Sequence, residues 1–71
     1  MELTRREFDL LATLLERPDA VFSRDKLLDR AWGTRFVSAK TVDVHVASLR
    51  RKLRGAVRIE AVRGLGYRLT R

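Results

Sequence analysis

The sequence has no cysteine and only one proline, tryptophan, tyrosine and histidine among its 71 residues. The lack of cysteine excludes disulfide bonds, thiolate metal sites and cysteine nucleophiles. No apolar run approaches the ~20 residues of a membrane span, and no signal-peptide pattern is present. A lone histidine without paired carboxylates or a phosphate-binding glycine loop offers no catalytic arrangement. We therefore expect a soluble, cytoplasmic domain that is not an enzyme and needs neither a metal nor another cofactor.

Acidic residues are scarce in the second half of the chain. Residues 1–35 carry seven Lys or Arg and seven Asp or Glu, whereas residues 36–71 carry nine and two, so the second half holds the whole net charge of +7. This asymmetry favours a polyanionic partner on one side of the molecule. The alternative is a basic protein that has no such partner. The length fits one small domain, near the lower limit for a self-sufficient core.

The first helix is predicted over residues 4–17. Thr4 and Glu7 fit a capping box, and Pro18 disfavours helical conformation in the residue before it. Helical spacing then predicts a buried face made of Phe8, Leu11, Ala12 and Leu15, widened by Leu10 and Leu14.

A second helix is predicted over residues 23–32, where Ser23 can cap the first turn. Its last residue, Trp32, is either a packing residue or a donor of its indole N–H to a phosphate. A loop of mixed character follows at residues 33–37. Phe36 in this loop is either tucked into the core or offered to a partner.

Residues 38–54, SAKTVDVHVASLRRKLR, have two competing interpretations. Valines at every second position alternate with polar residues, as in a strand. A longer apolar set shares one face of a helix: Val42, Val46, Leu49 and Leu53. Because the helical set is longer and the LRRKLR composition favours helix, we predict a helix whose first turn is capped by Ser38.

The opposite face of this third helix has small or apolar residues in its middle and cations at its edges. It consists of Lys40, Val44, Ala47, Ser48 and Arg51, with Thr41 and Lys52 at its margin. A DNA major groove accepts short side chains near base edges, an apolar group near a thymine methyl, and cations near phosphates. The face is therefore interpreted either as a groove-reading surface or as the solvated face of a basic amphipathic helix.

A β-hairpin is predicted over residues 57–70. Val57, Ile59 and Ala61 alternate with charged residues, as in a half-buried strand. The glycines of RGLG supply the freedom for a turn. Arg63 in this turn is either solvated or reaches a minor groove, where narrow A-tract geometry concentrates negative potential.

These elements predict an α+β, mostly helical fold: a three-helix winged helix-turn-helix with a C-terminal β-hairpin wing, forming one domain over residues 1–71. The segments LTRREFDLLATLL, VFSRDKLLDRAWG, KTVDVHVASLRRKL and IEAVRGLGYRL cover nearly the whole chain. In this order and spacing they resemble the OmpR/PhoB-type winged-helix effector domain of bacterial two-component response regulators. The resemblance implies sequence-specific binding of double-stranded DNA and regulation of transcription.

The resemblance also implies roles for individual residues. The implied DNA-binding residues are Trp32, Lys40, Thr41, Val44, His45, Ser48, Arg50, Arg51, Lys52, Arg63 and Tyr67. Among them, Val44 and Ser48 would approach bases and Arg63 would be the minor-groove arginine of the wing, while the others would contact phosphates or groove edges. The loop of Gly33, Thr34, Arg35, Phe36 and Val37 resembles the loop with which the family contacts RNA polymerase.

The sequence departs from the family pattern at several positions. Lys40 stands where arginine is usual, and Ala47 and Ser48 stand where longer basic side chains are common, which leaves the base preference open. Ala61 replaces a common threonine before the wing turn. The loop between Gly33 and Thr41 is one residue short.

The family's N-terminal antiparallel sheet and its phosphoacceptor receiver domain are missing from the sequence. Without that sheet, apolar surface on the first helix would lose its cover. We therefore expect marginal stability or self-association through this face. An alternative function remains, in which the basic third helix docks on an acidic protein partner and DNA plays no part.

Overall fold

The fold contains three helical regions followed by a β-hairpin, as predicted. The computed structural model describes residues 2–34 and 36–70. Its elements are α1 (Arg5–Glu16), α2 (Arg24–Leu27) with a π-helical segment (Leu28–Trp32), α3 (Lys40–Leu53), β1 (Arg58–Val62) and β2 (Gly66–Thr70). In the described part of the chain, no helix has the length and apolar character needed to cross a membrane.

The buried face of α1 differs from the predicted one. Leu10 and Leu14 are fully buried, whereas Phe8 and Leu15 are 58% and 40% exposed and Ala12 is also exposed. The reason is that α1 carries apolar residues on two adjacent stripes. The stripe containing Leu10 and Leu14 packs in the core formed with α3 and the π-helical segment, which leaves the other stripe on the surface.

The ends of α1 follow the predicted local chemistry. Thr4 accepts a hydrogen bond from the backbone N–H of Glu7, and the Glu7 carboxylate accepts one from the backbone N–H of Thr4, which completes the capping box. The helix ends at Glu16, and Arg17 before Pro18 has a φ of −141° and a ψ of 83°. This conformation lies outside the helical region, which the following proline disfavours.

The second helical region begins and ends at the predicted signals, but its second half is wider than an α-helix. Ser23 caps the first turn through the backbone N–H of Lys26, and Gly33 ends the region in the left-handed conformation, with a φ of 73°. The change to π-helical hydrogen bonding at Leu28–Trp32 is not visible in the apolar spacing. π-helical turns of this kind are frequent at functional sites.

The helical interpretation of the third segment is confirmed, and the strand interpretation is wrong. The four predicted inward residues are buried: Val42, Val46, Leu49 and Leu53. The helix begins two residues later than predicted. The hydroxyl of Ser38 nevertheless accepts a hydrogen bond from the backbone N–H of Lys40 at 3.2 Å, so it caps the first turn from outside the helix.

The hairpin pairs β1 with β2 in antiparallel register, with Ile59 opposite Leu69. Ile59, Tyr67 and Leu69 are buried, but Ala61 is exposed, contrary to the prediction. Ala61 pairs with Tyr67, which is buried at the same level of the hairpin. The alternation of the sequence therefore does not decide which residues of β1 the core covers.

The connection between α1 and α2 pairs with β2 through backbone hydrogen bonds, at an isolated antiparallel bridge between Phe22 and Tyr67. The backbone N–H groups of Phe22 and Asp19 donate to the carbonyls of Tyr67 and Leu69, both at 2.8 Å, and the N–H of Tyr67 donates back to Phe22 at 2.9 Å. Sequence analysis treated this segment as a plain connection. Gly66 allows the close approach, because a Cβ atom there would lie 2.0 Å from the carbonyl oxygen of Phe22.

Candidate nucleic-acid interface

The surface of α3 opposite the core is open to solvent. Lys40, Ala47 and Arg51 are exposed, and the Val44 side chain is 64% exposed although it is apolar. We call these four residues the open face of α3. Short or apolar side chains thus lie between cations, as the sequence pattern predicts, and the surface has room for a large planar or grooved partner.

One margin of the open face is closed by aromatic residues. The rings of Trp32 and His45 meet edge to face at 5.0 Å, and the guanidinium of Arg6 lies 5.6 Å from the Trp32 ring centre. Arg6 also donates to the carbonyl of Ala31 at 2.7 Å. The contacts fix Trp32 at the protein edge, between α1 and α3, with its ring only partly buried.

The imidazole of His45 is oriented by its own helix. Its Nδ1 lies 2.8 Å from the carbonyl oxygen of Thr41. A carbonyl only accepts hydrogen bonds, so this nitrogen carries the proton and Nε2 is left as the acceptor of the neutral ring. His45 can donate to a phosphate from Nε2 only when the ring is protonated.

The same margin is bonded to α1 through one carboxylate. Glu7 is 2% exposed, and it accepts hydrogen bonds from Lys52 Nζ at 2.6 Å, Ser48 Oγ at 2.5 Å and the backbone N–H of Thr4 at 2.8 Å. We call these residues the Glu7 network. These hydrogen bonds, from Lys52 first, lower the pKa of Glu7 from 4.5 to about 2, against the opposing effect of burial.

The Glu7 network limits the contacts that two of the predicted DNA-binding residues can make with DNA. Ser48 is half-buried and its hydroxyl proton is given to Glu7. Lys52 has a side chain that is one-third exposed, and its charge is compensated within the protein. Lys52 is therefore less free than Lys40 or Arg51 to neutralise a phosphate, and Ser48 has already given its only proton to Glu7.

The opposite margin is bonded to the hairpin through a second carboxylate. Asp43 Oδ1 accepts from Tyr67 Oη at 2.6 Å and from Arg24 Nε at 2.8 Å. The hydrogen bond from Tyr67 is the main cause of a lowered pKa of Asp43, and burial together with Asp43 raises the pKa of Tyr67. Tyr67 therefore stays protonated and uses its hydroxyl proton inside the protein.

Two arginines flank the Tyr67 ring and connect it to neighbouring elements. The guanidinium groups of Arg24 and Arg50 lie 6.0 Å and 5.9 Å from the ring centre, within the range of a cation–π contact. Arg50 also donates to the carbonyl of Ile59 in β1 at 2.8 Å. The wing and α3 are thus held at a fixed relative position.

The tip of the hairpin projects free of these contacts. Arg63, Gly64 and Leu65 are exposed, and Gly64 has a φ of 76° that the turn requires. A shallow groove of about 280 Å³ runs between the tip and the rest of the molecule, and Arg24, Arg63 and Tyr67 are among its lining residues. The predicted wing arginine therefore lies on the same groove as a cation from α2.

Sequence analysis missed two cations of this surface, Arg24 and Arg54. An arginine in the first turn of a helix opposes the helix dipole, and in the structure Arg24 pairs with Asp43 of α3. Arg54 follows α3 in the left-handed conformation, with a φ of 52°. It lines a groove of about 470 Å³ together with Glu2, Arg51 and Lys52.

The loop after the π-helical segment presents an aromatic residue to solvent. Phe36 is fully exposed, which excludes the core position that the sequence left open, and Val37 is 38% exposed. The hydroxyl of Thr34 accepts from the backbone N–H of Phe36 at 3.1 Å and so orders the turn. Arg35, also predicted for this loop, lies outside the described residues.

The helical order, the short turn before α3 and the hairpin beside it define the chain as a winged helix-turn-helix domain. Residues 1–69 match the family described as "Transcriptional regulatory protein, C terminal". The chain belongs to this family of OmpR/PhoB-type domains, and the resemblance seen in the sequence is confirmed.

Curated relatives are longer than this chain. Transcriptional regulatory protein VxrB of Vibrio cholerae is 52% identical over 68 residues, which are 94% of this chain and 27% of that protein. Transcriptional regulatory protein YxdJ of Bacillus subtilis is 47% identical over 72 residues, 96% of this chain and 31% of that protein. The chain thus spans less than a third of the length of these two relatives.

Solved structures of similar sequence have the same fold. The DNA-binding domain of Bacillus subtilis CssR is 36% identical, with a TM-score of 0.87, and the match covers 96% of this chain and 77% of that one. The DNA-binding domain of the response regulator AdeR, solved in complex with an intercistronic region, is 32% identical with a TM-score of 0.89. That match covers 100% of this chain and 74% of the other.

Proposed function

We propose that this chain binds double-stranded DNA in a sequence-specific manner and is the effector part of a response regulator that controls transcription in the bacterial cytoplasm. The observation that carries the proposal is the open face of α3, a slim surface edged by cations and fixed beside an arginine-tipped hairpin. The chain belongs to a family of transcriptional regulators, which are not enzymes, and this membership supports the proposal.

In the proposed mechanism, α3 enters the major groove and its cations bind the flanking phosphates. Lys40 and Arg51 are exposed and lie at the edges of the open face, where phosphate oxygens would be. Val44 offers an apolar contact to a thymine methyl group. Arg63 on the projecting tip inserts into the neighbouring minor groove, where a narrow groove strengthens the attraction.

The networks on both margins of α3 preorganise this surface. Asp43 holds Tyr67 and Arg24, and Glu7 holds Ser48 and Lys52, so the helix and the wing need little reordering on binding. Trp32 and Thr41 would approach phosphates from these margins, whereas Tyr67, which donates to Asp43, and His45, which packs on Trp32, would hold the surface in place. Arg50 would act mainly by fixing the wing to α3, because it is bonded to the carbonyl of Ile59.

The proposal is tested by selecting duplexes from a random pool and titrating salt on the enriched sequence. We expect an enriched motif and, for about five neutralised phosphates, a slope of log K against log salt of about −4 to −5. Arg51→Ala should reduce the magnitude of the slope by about 0.9. Arg30→Ala is the matched control, because Arg30 pairs with Glu16 and is not part of the open face.

A second candidate function is docking on an acidic protein, which exposed Val44 and the neighbouring cations would also suit. This module would enrich no DNA motif from the random pool. A salt slope near zero, or binding without sequence preference, would contradict the proposed DNA reading and favour this alternative.

Two further partners are proposed from exposed surfaces. Phe36 and Val37 in the loop after the π-helical segment would contact RNA polymerase, and Phe8 and Leu15 on α1 form an apolar stripe suited to self-association or to a covering segment. A receiver domain is expected in the full-length regulator.

The self-association through α1 is tested by comparing the sedimentation of the wild type with that of Phe8→Ser. A wild type that stays monomeric at all concentrations would contradict it.

A further inference from the structure

We infer that Ser48 reads DNA as a hydrogen-bond acceptor only, so that it selects a base carrying an exocyclic amino group, adenine or cytosine, on the strand it faces. Glu7, a residue of α1 outside the groove, imposes this polarity as a positioning residue. The inference rests on the proposed function and adds a specificity rule to it.

Ser48 has a single hydroxyl proton, and it donates this proton to Glu7. A serine hydroxyl has a single O–H donor and two acceptor lone pairs. Ser48 Oγ donates to Glu7 Oε2 at 2.5 Å. The Ser48 side chain is only half-buried, so its remaining acceptor capacity can be reached from the open face of α3.

The direction of this hydrogen bond follows from the charge of Glu7. The hydrogen bonds from Lys52, Ser48 and Thr4 lower the pKa of Glu7 to about 2, so the carboxylate is ionised under ordinary conditions. An ionised carboxylate only accepts hydrogen bonds. The proton between the two side chains therefore belongs to Ser48, and no proton is left for a base.

In the major groove, a side chain that only accepts hydrogen bonds distinguishes the two bases of a pair. Adenine N6 and cytosine N4 are donors, whereas thymine O4 and guanine O6 are acceptors. An acceptor-only Ser48 bonds to the amino group of an A·T or C·G pair and gains nothing from the keto oxygen of its partner base. A free serine would use either group.

Lys52 provides an internal control for the role of Glu7. Its ammonium bonds to Glu7 Oε1, and Ser48 bonds to the other oxygen, Oε2. Replacing Lys52 by glutamine removes a charge but leaves the Oε2 side of the carboxylate to Ser48. The hydrogen-bond polarity of Ser48 should then be retained.

Glu7→Gln should reverse the polarity. Two donors, Thr4 and Lys52, meet Oε1, and only Ser48 meets Oε2. The arrangement that keeps most hydrogen bonds places the amide oxygen of the glutamine toward the two donors and its NH2 group toward Ser48. Ser48 then accepts from the glutamine, and its proton becomes available to a keto oxygen.

The experiment removes single atoms from the DNA. A motif is first selected with the wild-type chain, and the base pair that loses its preference in Ser48→Ala is identified. At this pair, one duplex lacks the amino group (purine for adenine, or 2-pyrimidinone for cytosine). A second duplex lacks the keto oxygen of the opposite base. Binding of both duplexes is measured with wild type, Ser48→Ala, Lys52→Gln and Glu7→Gln, and circular dichroism reports folding.

For wild type and Lys52→Gln, we expect loss of the amino group to weaken binding about fivefold, the worth of one hydrogen bond, and loss of the keto oxygen to have no effect. Ser48→Ala should show neither sensitivity, and folded Glu7→Gln should become sensitive to the keto oxygen. Keto sensitivity in the wild type, or a base preference independent of Ser48, would overturn the inference while leaving DNA binding intact. The absence of any enriched motif would overturn the proposed function and the inference with it.

Discussion

Acid should weaken this domain through Glu7, a buried carboxylate that accepts three hydrogen bonds. The folded-state pKa of Glu7 lies below its ordinary value of 4.5, at about 2. A group with a depressed folded pKa contributes stability that is complete above the unfolded pKa and is lost as pH falls toward the folded one. We therefore expect the contribution of Glu7 to be full near neutral pH and to disappear between about pH 4.5 and about pH 2.

The size of the effect follows from the pKa difference. A fall from 4.5 to about 2 corresponds to about 3 kcal/mol, at about 1.4 kcal/mol per unit. The Lys52 side chain is 33% exposed, so solvent screens part of its attraction and we expect about 2 kcal/mol. This is a large share of the roughly 4–10 kcal/mol available to a domain of this size.

The assay compares the urea unfolding of wild type, Glu7→Gln and Glu16→Gln over a series of pH values. Glutamine imitates the protonated carboxyl, so Glu7→Gln should be less stable by about 2 kcal/mol near neutral pH, and the difference should vanish in acid. Asp43 also has a lowered pKa, but it is present in all three proteins and cancels. Glu16→Gln is the matched control, because the Glu16 side chain is 47% exposed in a surface ion pair. A difference for Glu7→Gln that stays constant with pH, or that Glu16→Gln reproduces, would refute the reasoning.

Three further substitutions test the hairpin. Gly66→Ala should prevent folding or lower the melting temperature severely, because its Cβ would lie 2.0 Å from the carbonyl oxygen of Phe22; a melting curve like that of the wild type would contradict the backbone bridge. Tyr67→Phe should cost about 1 kcal/mol in urea unfolding through the lost hydrogen bond to Asp43, with an unchanged salt slope of DNA binding, whereas a shallower slope would mean that the hydroxyl binds a phosphate. Arg63→Ala should weaken binding mainly to sites with AT-rich flanks, and equal loss on GC-rich flanks would count against minor-groove insertion.

The order of elements and the buried face of α3 could be predicted because local signals agree with tertiary packing. Val42, Val46, Leu49 and Leu53 share one helical stripe and have no apolar competitor, since the opposite side offers only Val44 and Ala47. In α1, by contrast, leucines and Phe8 occupy two stripes of similar apolar character. Which stripe is buried depends on the position of α3, and the local pattern does not contain that information.

The sequence predicted which residues of the candidate interface are exposed, but it did not predict the hydrogen bonds between their side chains. The open face of α3 follows from periodicity, and the exposed tip of the wing follows from its glycines. The partners of Ser48 and Tyr67 are distant in sequence, at Glu7 and Asp43, and no local pattern specifies them. A buried glutamate in a capping box looks the same in sequence as an exposed one, so the Glu7 network could not be foreseen.

The hairpin divides into two regions that can evolve separately. Its second strand, β2, is tied to the connection between α1 and α2 by the backbone bonds of Phe22 to Tyr67 and of Asp19 to Leu69. Backbone bonds tolerate many side chains, provided that Gly66 is kept. Arg63 and Leu65 at the tip are exposed and take no part in that pairing, so their side chains can be exchanged without rebuilding the domain, whereas Gly64 is kept by the turn.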